Sequence, residues 1–355
     1  MTAFIKKSVL DLKGYASPPQ KEFKAKLNQN ESPFDVPQQL KDELSETIRN
    51  TCWNRYPVNE SPDLKQKLAD RHGVDVNQII LGNGSNQLFQ TLLTATIAPG
   101  DKALYTPPTF SLYDLFMDIY EGELIEIMQT PDEEYPIDQV LSAIKEHNPK
   151  LIFICSPNNP TGYEVSLEMV ERICKIAEGL VFFDEAYAEF TEQSAIPLLD
   201  KYENILISRT FSKAFSLAGL RFGYFIGREN VIRELRKVNL PYNINLFTEM
   251  VSLRLLDEQS RMQENIDFLK EERERMFALL KHIDGIHVTA SAANFLLIKG
   301  PDNLNLFQEL KDRGVLVRDV SSYPMLQGRQ RITVGFKDEN DLLLETLKSI
   351  MDDYK

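Results

Sequence analysis

The chain has 355 residues, of which 43% are hydrophobic and 26% are charged, a composition typical of a globular protein large enough for two domains. Its formal net charge of -13 argues against nucleic-acid binding, because phosphate backbones are bound by surfaces rich in lysine and arginine. The N-terminus lacks the apolar core of a signal peptide and no apolar run approaches membrane-spanning length, so we expect a cytoplasmic protein without membrane contacts.

The cysteines and histidines form no recognisable ligand pattern. The three cysteines, Cys52, Cys155 and Cys174, are far apart in the chain, and the four histidines form no pair at metal-binding spacing. We therefore expect reduced cysteines and no metal ion.

Residues 1–32 show no regular apolar periodicity and contain Pro18-Pro19, which predicts an extended N-terminal arm. Tyr15 lies in this arm, where its ring either anchors the arm by packing or reaches a binding site. Apolar residues then recur at helical spacing, which predicts helices over residues 37–51 and 62–73.

A glycine-containing turn, Gly82-Asn-Gly-Ser-Asn86, precedes a helical stretch over residues 87–97. Free backbone amides at a helix N-terminus bind anions, and small residues let a phosphate approach the backbone closely. The third glycine of a dinucleotide-binding fingerprint is replaced by Gln87, and the lysine of a P-loop is missing. The turn therefore predicts a phosphate site without indicating NAD or ATP.

Short apolar runs alternate with helical stretches in the middle of the chain. Such alternation indicates a protein of the α/β class, with a mostly parallel sheet covered by helices on both faces. The predicted strands span residues 79–81, 102–105, 123–128, 151–155, 180–183, 205–207 and 222–226.

Polar segments follow four of these strands at their carboxyl ends, which is where parallel sheets bind ligands. They are Thr106-Pro-Pro-Thr-Phe110, Ser156-Pro-Asn-Asn-Pro-Thr-Gly162, Asp184-Glu-Ala-Tyr187 and the stretch from Ser208 to Lys213. A lysine at the end of a buried strand is partly desolvated, which lowers its pKa and makes its amine a nucleophile toward an aldehyde. Lys213 is therefore the candidate centre of a covalent site.

Beyond residue 247 the sequence predicts one long charged helix over residues 248–281, followed by a smaller α/β domain. In that domain we predict strands over residues 294–298, 315–317 and 331–336 and helices over residues 304–313 and 339–351. The chain is thus divided into an arm of residues 1–32, a large domain of residues 33–247 and a small domain of residues 248–355.

The order and spacing of these segments resemble those of the aspartate aminotransferase superfamily, the fold type I enzymes that use pyridoxal 5'-phosphate. The resemblance extends over nearly the whole chain, and within the superfamily it is strongest to the histidinol-phosphate aminotransferase family. Its motifs are Asn28-Gln-Asn-Glu-Ser-Pro33, Asn54-Arg-Tyr-Pro57, residues 156–162, Asp184-Glu-Ala-Tyr187, Ser212-Lys213, Gly219-Leu-Arg221 and Arg331-Ile-Thr-Val-Gly335.

That resemblance implies a transamination of histidine biosynthesis, in which L-histidinol phosphate and 2-oxoglutarate become imidazole-acetol phosphate and L-glutamate. Two rival activities share the fold and the cofactor, an aromatic amino acid aminotransferase and a threonine-phosphate decarboxylase, and the motifs near the cofactor do not separate them. A ligand-sensing regulator built on the same domain would need a basic DNA-binding segment, which the net charge of -13 disfavours.

The resemblance also implies a role for each polar residue around Lys213. Lys213 itself would form a Schiff base with the cofactor and carry a proton between substrate and cofactor. Asp184 would pair with the pyridine nitrogen and keep it protonated, although an aspartate at a strand end can also cap a helix. Tyr187 and Asn159 would donate to the phenolic oxygen, and Phe110 would stack on the ring.

The cofactor phosphate would be bound at the turn and strand ends already described, by Ser85, Asn86, Thr210, Ser212 and Arg221. In the family that the chain resembles, the residue matching Tyr56 reaches the phosphate bound by the neighbouring subunit. The resemblance therefore implies a homodimer with shared sites.

Three further residues match substrate contacts of that family. Arg331 would hold the anionic end of the substrate, whether it is a carboxylate or a phosphate. Arg318 and Tyr15 would add contacts to a substrate phosphate, because a group with two charges benefits from a second arginine. For Arg318, an ion pair with Asp319 or with a nearby acid is the alternative.

Overall fold

The computed structural model describes residues 4–10, 12 and 23–354. Tyr15, the predicted substrate contact in the arm, lies outside the described residues. No helix within the described ranges is long and apolar enough to cross a membrane.

The described strands form a seven-stranded sheet, a four-stranded sheet and a two-stranded ribbon. In chain order they are β1 (Ala25–Lys26), β2 (Ile79–Gly82), β3 (Lys102–Tyr105), β4 (Glu123–Glu126), β5 (Leu151–Cys155), β6 (Leu180–Asp184), β7 (Ile205–Thr210), β8 (Gly223–Gly227), β9 (His287–Thr289), β10 (Phe295–Lys299), β11 (Val315–Leu316), β12 (Arg318–Asp319) and β13 (Arg329–Thr333).

Helices connect these strands. In chain order the described α-helices are α1 (Lys7–Leu10), α2 (Gln38–Asn50), α3 (Pro62–His72), α4 (Ser85–Thr96), α5 (Leu112–Tyr120), α6 (Ile137–His147), α7 (Leu167–Ile176), α8 (Glu229–Arg236), α9 (Leu246–Leu255), α10 (Gln259–Leu280), α11 (Leu306–Asp312) and α12 (Lys337–Tyr354). Short 3-10 helices cover Val76–Gln78, Ala188–Phe190, Ile196–Asp200 and Ala218–Leu220.

The seven-stranded sheet has the order β2-β8-β7-β6-β5-β3-β4, and its strands are the seven predicted for the middle of the chain. β8 is antiparallel to both of its neighbours, and the other neighbouring pairs are parallel. Ile80 packs in one apolar cluster, whereas Ile79 and Leu81 pack in another, as the alternation of a strand with two covered faces requires. The prediction of a mostly parallel sheet with both faces covered is confirmed.

The carboxyl ends of β3, β5, β6 and β7 lie along one edge of this sheet, because these four strands run in the same direction. At that edge Asp184 is paired in register with Cys155 on one side and Ser208 on the other. The polar segments that follow the strands therefore come together there.

The four-stranded sheet is antiparallel, with the order β12-β13-β10-β9, and is built from residues of the C-terminal part of the chain. The strand predicted over residues 315–317 is confirmed as β11, which ends one residue earlier, at Leu316. β11 pairs with β1 of the arm while β12 pairs with β13, so the chain changes partner after Leu316. The boundary between a large and a small domain near residue 247 stays a prediction.

The single long helix predicted over residues 248–281 is wrong, because the chain forms α9 and α10 with a break between them. Lys67 of α3 donates to the carbonyl oxygen of Leu253 at 3.2 Å and pairs with Asp257 at 2.5 Å. Lys67 thus provides a hydrogen bond for a backbone carbonyl group in the last turn of α9, which has no partner within the helix. The spacing of apolar residues cannot reveal such a contact with another helix.

The start of α4 packs directly on Gly223, the first residue of β8. A Cβ atom at Gly223 would lie 2.4 Å from the backbone nitrogen of Ser85 and 2.8 Å from the carbonyl carbon of Gly84. Both are backbone atoms that no side-chain rotation can move away. Glycine at this position therefore lets the N-terminus of α4 approach the sheet.

We predict that Gly223→Ala lowers the free energy of unfolding by about 1–3 kcal/mol, the usual cost of forcing an extra carbon into a packed region. Gly219→Ala is the matched control, because a Cβ atom there meets nothing within 4 Å. The control should change stability by less than about 0.5 kcal/mol. Urea unfolding measures both values, and equal stability of the two variants would contradict the close approach at Gly223.

Candidate active site

A cavity of about 580 Å³ lies at the edge of the sheet where the strands end. Its walls include most of the residues predicted to bind a cofactor or a substrate. These are Ser85, Asn86, Phe110, Asn159, Asp184, Tyr187, Thr210, Ser212, Lys213, Arg221, Arg318 and Arg331.

Lys213 follows β7 and carries its amine into this cavity. Its Nζ donates to the backbone carbonyl oxygen of Gln29 at 2.9 Å. Burial lowers the pKa of Lys213 to about 7, and the positive charge of Arg331 acts in the same direction. A large fraction of the amine is therefore neutral near pH 7, as a nucleophile must be.

Asp184 ends β6 as a buried carboxyl group with one oxygen engaged and one oxygen without a donor. The hydroxyl of Tyr113 donates to Oδ2 at 3.1 Å, whereas Oδ1 has no hydrogen-bond partner among the described residues. Burial raises the pKa of Asp184 to about 6. The alternative that Asp184 caps a helix is wrong, because the next helical turn, Ala188–Phe190, has Tyr187 at its N-cap position.

Tyr187 and Asn159 are both held so that a donor remains available. The side-chain amide of Asn30 donates to the Tyr187 hydroxyl at 2.9 Å, which leaves the phenol hydrogen to donate elsewhere. Arg331 Nη1 donates to Asn159 Oδ1 at 2.5 Å, which leaves the amide nitrogen of Asn159 as a donor. Burial raises the pKa of Tyr187 to about 12, so its phenol stays protonated at neutral pH.

The N-terminus of α4 and Arg221 form the cationic end of the cavity. Ser85 and Asn86 begin α4, where backbone amides have no helical partner. A Cβ atom on Gly84, whose φ is +77°, would lie 2.7 Å from Arg221 Nη2, so glycine here admits the guanidinium. Arg221 Nη1 also donates to the Ser212 hydroxyl at 3.2 Å. This arrangement suits a phosphate group.

Arg318 and Arg331 lie opposite each other on the neighbouring strands β12 and β13. Arg331 Nη2 donates to the carbonyl oxygen of Asn28 at 2.9 Å. The Arg318 guanidinium has no hydrogen bond or ion pair with a described residue. The alternative of an Arg318–Asp319 ion pair is therefore wrong, and Asp319 accepts instead from the backbone and hydroxyl of Ser321 at 2.9 Å and 2.5 Å.

Tyr56 is separated from this cavity in the described chain. Its side chain is 81% exposed and stacks on Tyr242, with the ring centroids 4.6 Å apart. Tyr56 instead lines an apolar surface cavity of about 630 Å³ together with Trp53 and Phe247.

Several residues of the cavity were not predicted from the sequence. Asn28, Gln29 and Asn30 belong to the first motif of the family resemblance, but the sequence assigned them no contact in the site. Backbone carbonyl groups of this segment accept from Lys213 and Arg331, and such contacts do not depend on the type of side chain. Tyr113 does not line the cavity but donates to Asp184, which does. Helical spacing could have indicated Tyr113, since it lies one helical turn after Phe110, and the two rings pack edge to face with centroids 5.8 Å apart. Tyr323 also lines the cavity, and no sequence pattern indicates it.

Comparisons with known proteins agree with this geometry. A sequence model of the family described as aminotransferase class I and II matches residues 23–347. The chain is 40% identical to the histidinol-phosphate aminotransferase of Ruminiclostridium cellulolyticum over 93% of this chain and 94% of that protein. It is 37% identical to the histidinol-phosphate aminotransferase of Chlorobaculum tepidum over 93% of this chain and 95% of that protein.

The fold is also that of a solved aminotransferase. The structure of histidinol-phosphate aminotransferase from Sinorhizobium meliloti in complex with pyridoxal-5'-phosphate matches with a TM-score of 0.88 and 21% identity, over 99% of both chains. This likeness confirms the predicted fold class. The chain belongs to the aminotransferase class I and II family, whose sequence model covers most of its length.

Proposed function

We propose that this enzyme uses pyridoxal 5'-phosphate to transfer the amino group of L-histidinol phosphate to 2-oxoglutarate, with imidazole-acetol phosphate and L-glutamate as products. The observation that carries the choice of substrate is the pair of arginines, Arg318 and Arg331, that face one cavity from neighbouring strands. The names of the relatives with 40% and 37% identity support the same substrate.

The residues of the cavity fit pyridoxal phosphate. Asp184 Oδ1 is a buried acceptor without a donor, which suits a protonated ring nitrogen. Tyr187 and Asn159 each keep one hydrogen to donate, which suits the phenolic oxygen, and Arg221 at the start of α4 suits the phosphate. When bound, the cofactor supplies an aldehyde for the substrate amine and a ring that accepts electron density.

Lys213 would bind the cofactor covalently and would move protons at Nζ during turnover. Its pKa of about 7 suits both roles, because a group whose pKa is near the working pH accepts and returns protons readily. The carbonyl oxygen of Gln29, 2.9 Å away, orients the amine. Phe110 would cover one face of the ring and exclude water there.

The paired arginines favour a substrate with a doubly charged end. Two guanidinium groups on directly opposed residues repel each other unless an anion lies between them. Arg331 already donates to Asn28 and Asn159, whereas Arg318 has no partner among the described residues. A phosphate would use the second arginine fully, and a carboxylate would need only one.

Replacing Lys213 tests the cofactor assignment. We predict that Lys213→Ala abolishes both turnover and the visible absorption band of the bound cofactor, because Lys213 is the lysine that lines the cavity. In the wild-type protein freed of cofactor, the band should form faster as the pH rises through about 7, because the neutral amine is the nucleophile. Lys237→Ala, at an exposed ion pair with Glu234, is the control. Retained turnover in Lys213→Ala would exclude the assignment.

A second prediction concerns the substrate. Histidinol phosphate, added without a keto acid, should convert the visible absorption band of the bound cofactor to that of its amine form. Phenylalanine should leave the band unchanged. Arg318→Met should raise KM for histidinol phosphate by about tenfold to a hundredfold, the usual effect of losing a hydrogen bond to a charged group. Arg313→Met, at an ion pair with Asp353, is the control and should have no such effect.

The same measurement, in which each candidate amine is added without a keto acid, distinguishes the rival activities. Conversion of the band by phenylalanine, with KM values unaffected by Arg318→Met, would indicate an aromatic amino acid aminotransferase. Release of carbon dioxide from threonine phosphate would indicate the decarboxylase. Either result would contradict the proposed substrate.

We also propose a homodimer in which Tyr56 of each subunit contacts the cofactor phosphate of the other. Exposed aromatic side chains surround Tyr56, including Trp53, Tyr242 and Phe247, which are 74%, 44% and 44% exposed. Contiguous apolar surface of this kind marks protein interfaces. Tyr56 is not among the residues that line the cavity of its own chain, and it lines the apolar surface cavity instead, which supports a contact across the interface.

Subunit complementation tests the shared site. Lys213→Ala and Tyr56→Ala should each impair activity alone, and refolding the two variants together should restore it, because one site of each hybrid dimer carries neither substitution. Random pairing restores about a quarter of all sites. A mixture of Lys213→Ala with Asp184→Ala is the control and should recover nothing, since both residues line the same cavity. Absence of recovery in the first mixture would contradict the shared site.

A cytoplasmic location is the last part of the proposal. The three cysteines are free, and two of them, Cys155 and Cys174, are buried in apolar clusters. Free buried thiols are in keeping with a reducing compartment.

A further inference from the structure

A cluster of buried charged side chains lies behind the wall of the cavity. Arg209 lies in β7 next to Thr210, and since successive strand residues point to opposite faces, its side chain points away from the cavity that Thr210 lines. Arg209 Nη2 lies 2.6 Å from Glu185 Oε2, and Nη1 lies 3.0 Å from Glu189 Oε1. None of the three side chains is more than 8% exposed.

The two glutamates bracket the segment that carries Tyr187. Glu185 directly follows Asp184, and Glu189 lies in the 3-10 helix that begins after Tyr187. One guanidinium therefore holds both ends of a short segment whose middle residues line the cavity. Neither Arg209 nor its two partners is among the residues that line the cavity.

Further contacts fix Glu185 more firmly than Glu189. The backbone nitrogen of Ala195 donates to Glu185 Oε1 at 2.5 Å, and the hydroxyl of Ser194 donates to Oε2 at 3.2 Å. Glu189 has Arg209 as its ion-pair partner in the described residues. The Arg209–Glu189 contact is therefore the one that ties the far end of the segment to β7.

The remaining groups around Arg209 do not replace its charge. His72 bonds with the Tyr224 hydroxyl at 2.7 Å, and burial lowers the pKa of His72 to about 3, so its ring is neutral at working pH. Arg71 lies over the ring of Phe215, 5.3 Å from its centroid. Two carboxyl groups thus face one guanidinium, and burial raises the pKa of Glu185. Glu189 can be neutralised without leaving Arg209 unpaired.

We propose that Arg209 is a positioning residue that, through its contact with Glu189, aims the Tyr187 phenol at the bound cofactor. This proposal rests on the cofactor assigned under the proposed function. A phenol that donates to the cofactor's phenolic oxygen stabilises the negative charge there, which lowers the pKa of the lysine-bound cofactor. If the segment shifts, that donation weakens and the pKa rises.

Two substitutions at Glu189 separate positioning from packing. Glu189→Met removes the acceptor and keeps the length of the side chain, whereas Glu189→Gln keeps an amide oxygen that can accept from Arg209 Nη1. Arg209 itself is left in place, because its removal would leave buried carboxyl groups unpaired and could prevent folding. Glu272→Met is the matched control, since Glu272 in α10 is similarly buried but pairs with Arg275, three residues later, and not with Arg209.

Three quantities are measured. The first is the pH at which the visible band of the lysine-bound cofactor is half converted, called the midpoint below. The others are the dissociation constant of pyridoxal phosphate and the melting temperature of the cofactor-free protein. Glu189→Met should raise the midpoint by about one pH unit and weaken cofactor binding by about tenfold. Glu189→Gln and Glu272→Met should keep the wild-type midpoint. A lower melting temperature of Glu189→Met with an unchanged midpoint would reduce Arg209 to a structural role and overturn the proposal.

A shift of equal size in Glu189→Gln would also overturn it, because the acceptor would then be irrelevant. Failure of the cofactor assignment has a different signature. In that case the wild-type protein and Glu272→Met would form no visible band either, which would overturn the proposed function and this inference together.

Discussion

Loss of water from the carboxyl edge of the seven-stranded sheet governs the chemistry of the cavity. Burial lowers the pKa of Lys213 to about 7 and raises that of Asp184 to about 6, because in each case the charged form loses its hydration. In water a lysine and an aspartate differ in pKa by about six units. Burial is thus the main cause that brings an amine and a carboxyl group into the same pH range. Lys213 donates to the carbonyl oxygen of Gln29, and Tyr113 donates to Asp184, so that a hydrogen bond holds each group in place.

The position of this edge could be predicted from the sequence because the strands are buried on both faces. A strand that is covered on both faces has a continuous run of apolar residues. The sequence therefore predicts β5, β6 and β7 without any knowledge of their contacts. Parallel strands then place whatever follows them at one edge. Asp184 and Lys213 meet there because of strand direction, and the motifs added only the role of each residue.

The contacts that the sequence could not supply come from elements far apart in the chain. Lys213 is bound by the backbone oxygen of Gln29, a contact that any residue type could make. Tyr113 donates to a carboxyl group 71 positions later, and helical spacing shows only that its ring shares a face with Phe110. Likewise, β11 pairs with β1 of the arm and β12 pairs with β13. This change of partner strand depends on backbone hydrogen bonds, which a pattern of side chains does not predict.

Under the proposed function, Arg331 connects the substrate end of the cavity to the cofactor end. It donates to Asn159 at 2.5 Å and to the carbonyl oxygen of Asn28 at 2.9 Å, and its charge contributes to the lowered pKa of Lys213. A substrate anion bound by Arg318 and Arg331 would cancel part of that charge, so the pKa of the free Lys213 amine would rise. Without substrate, the lower pKa favours the neutral amine that binds an aldehyde. With substrate, the higher pKa would make the same nitrogen a stronger proton acceptor, so in the proposed function one arginine would serve both substrate recognition and proton transfer.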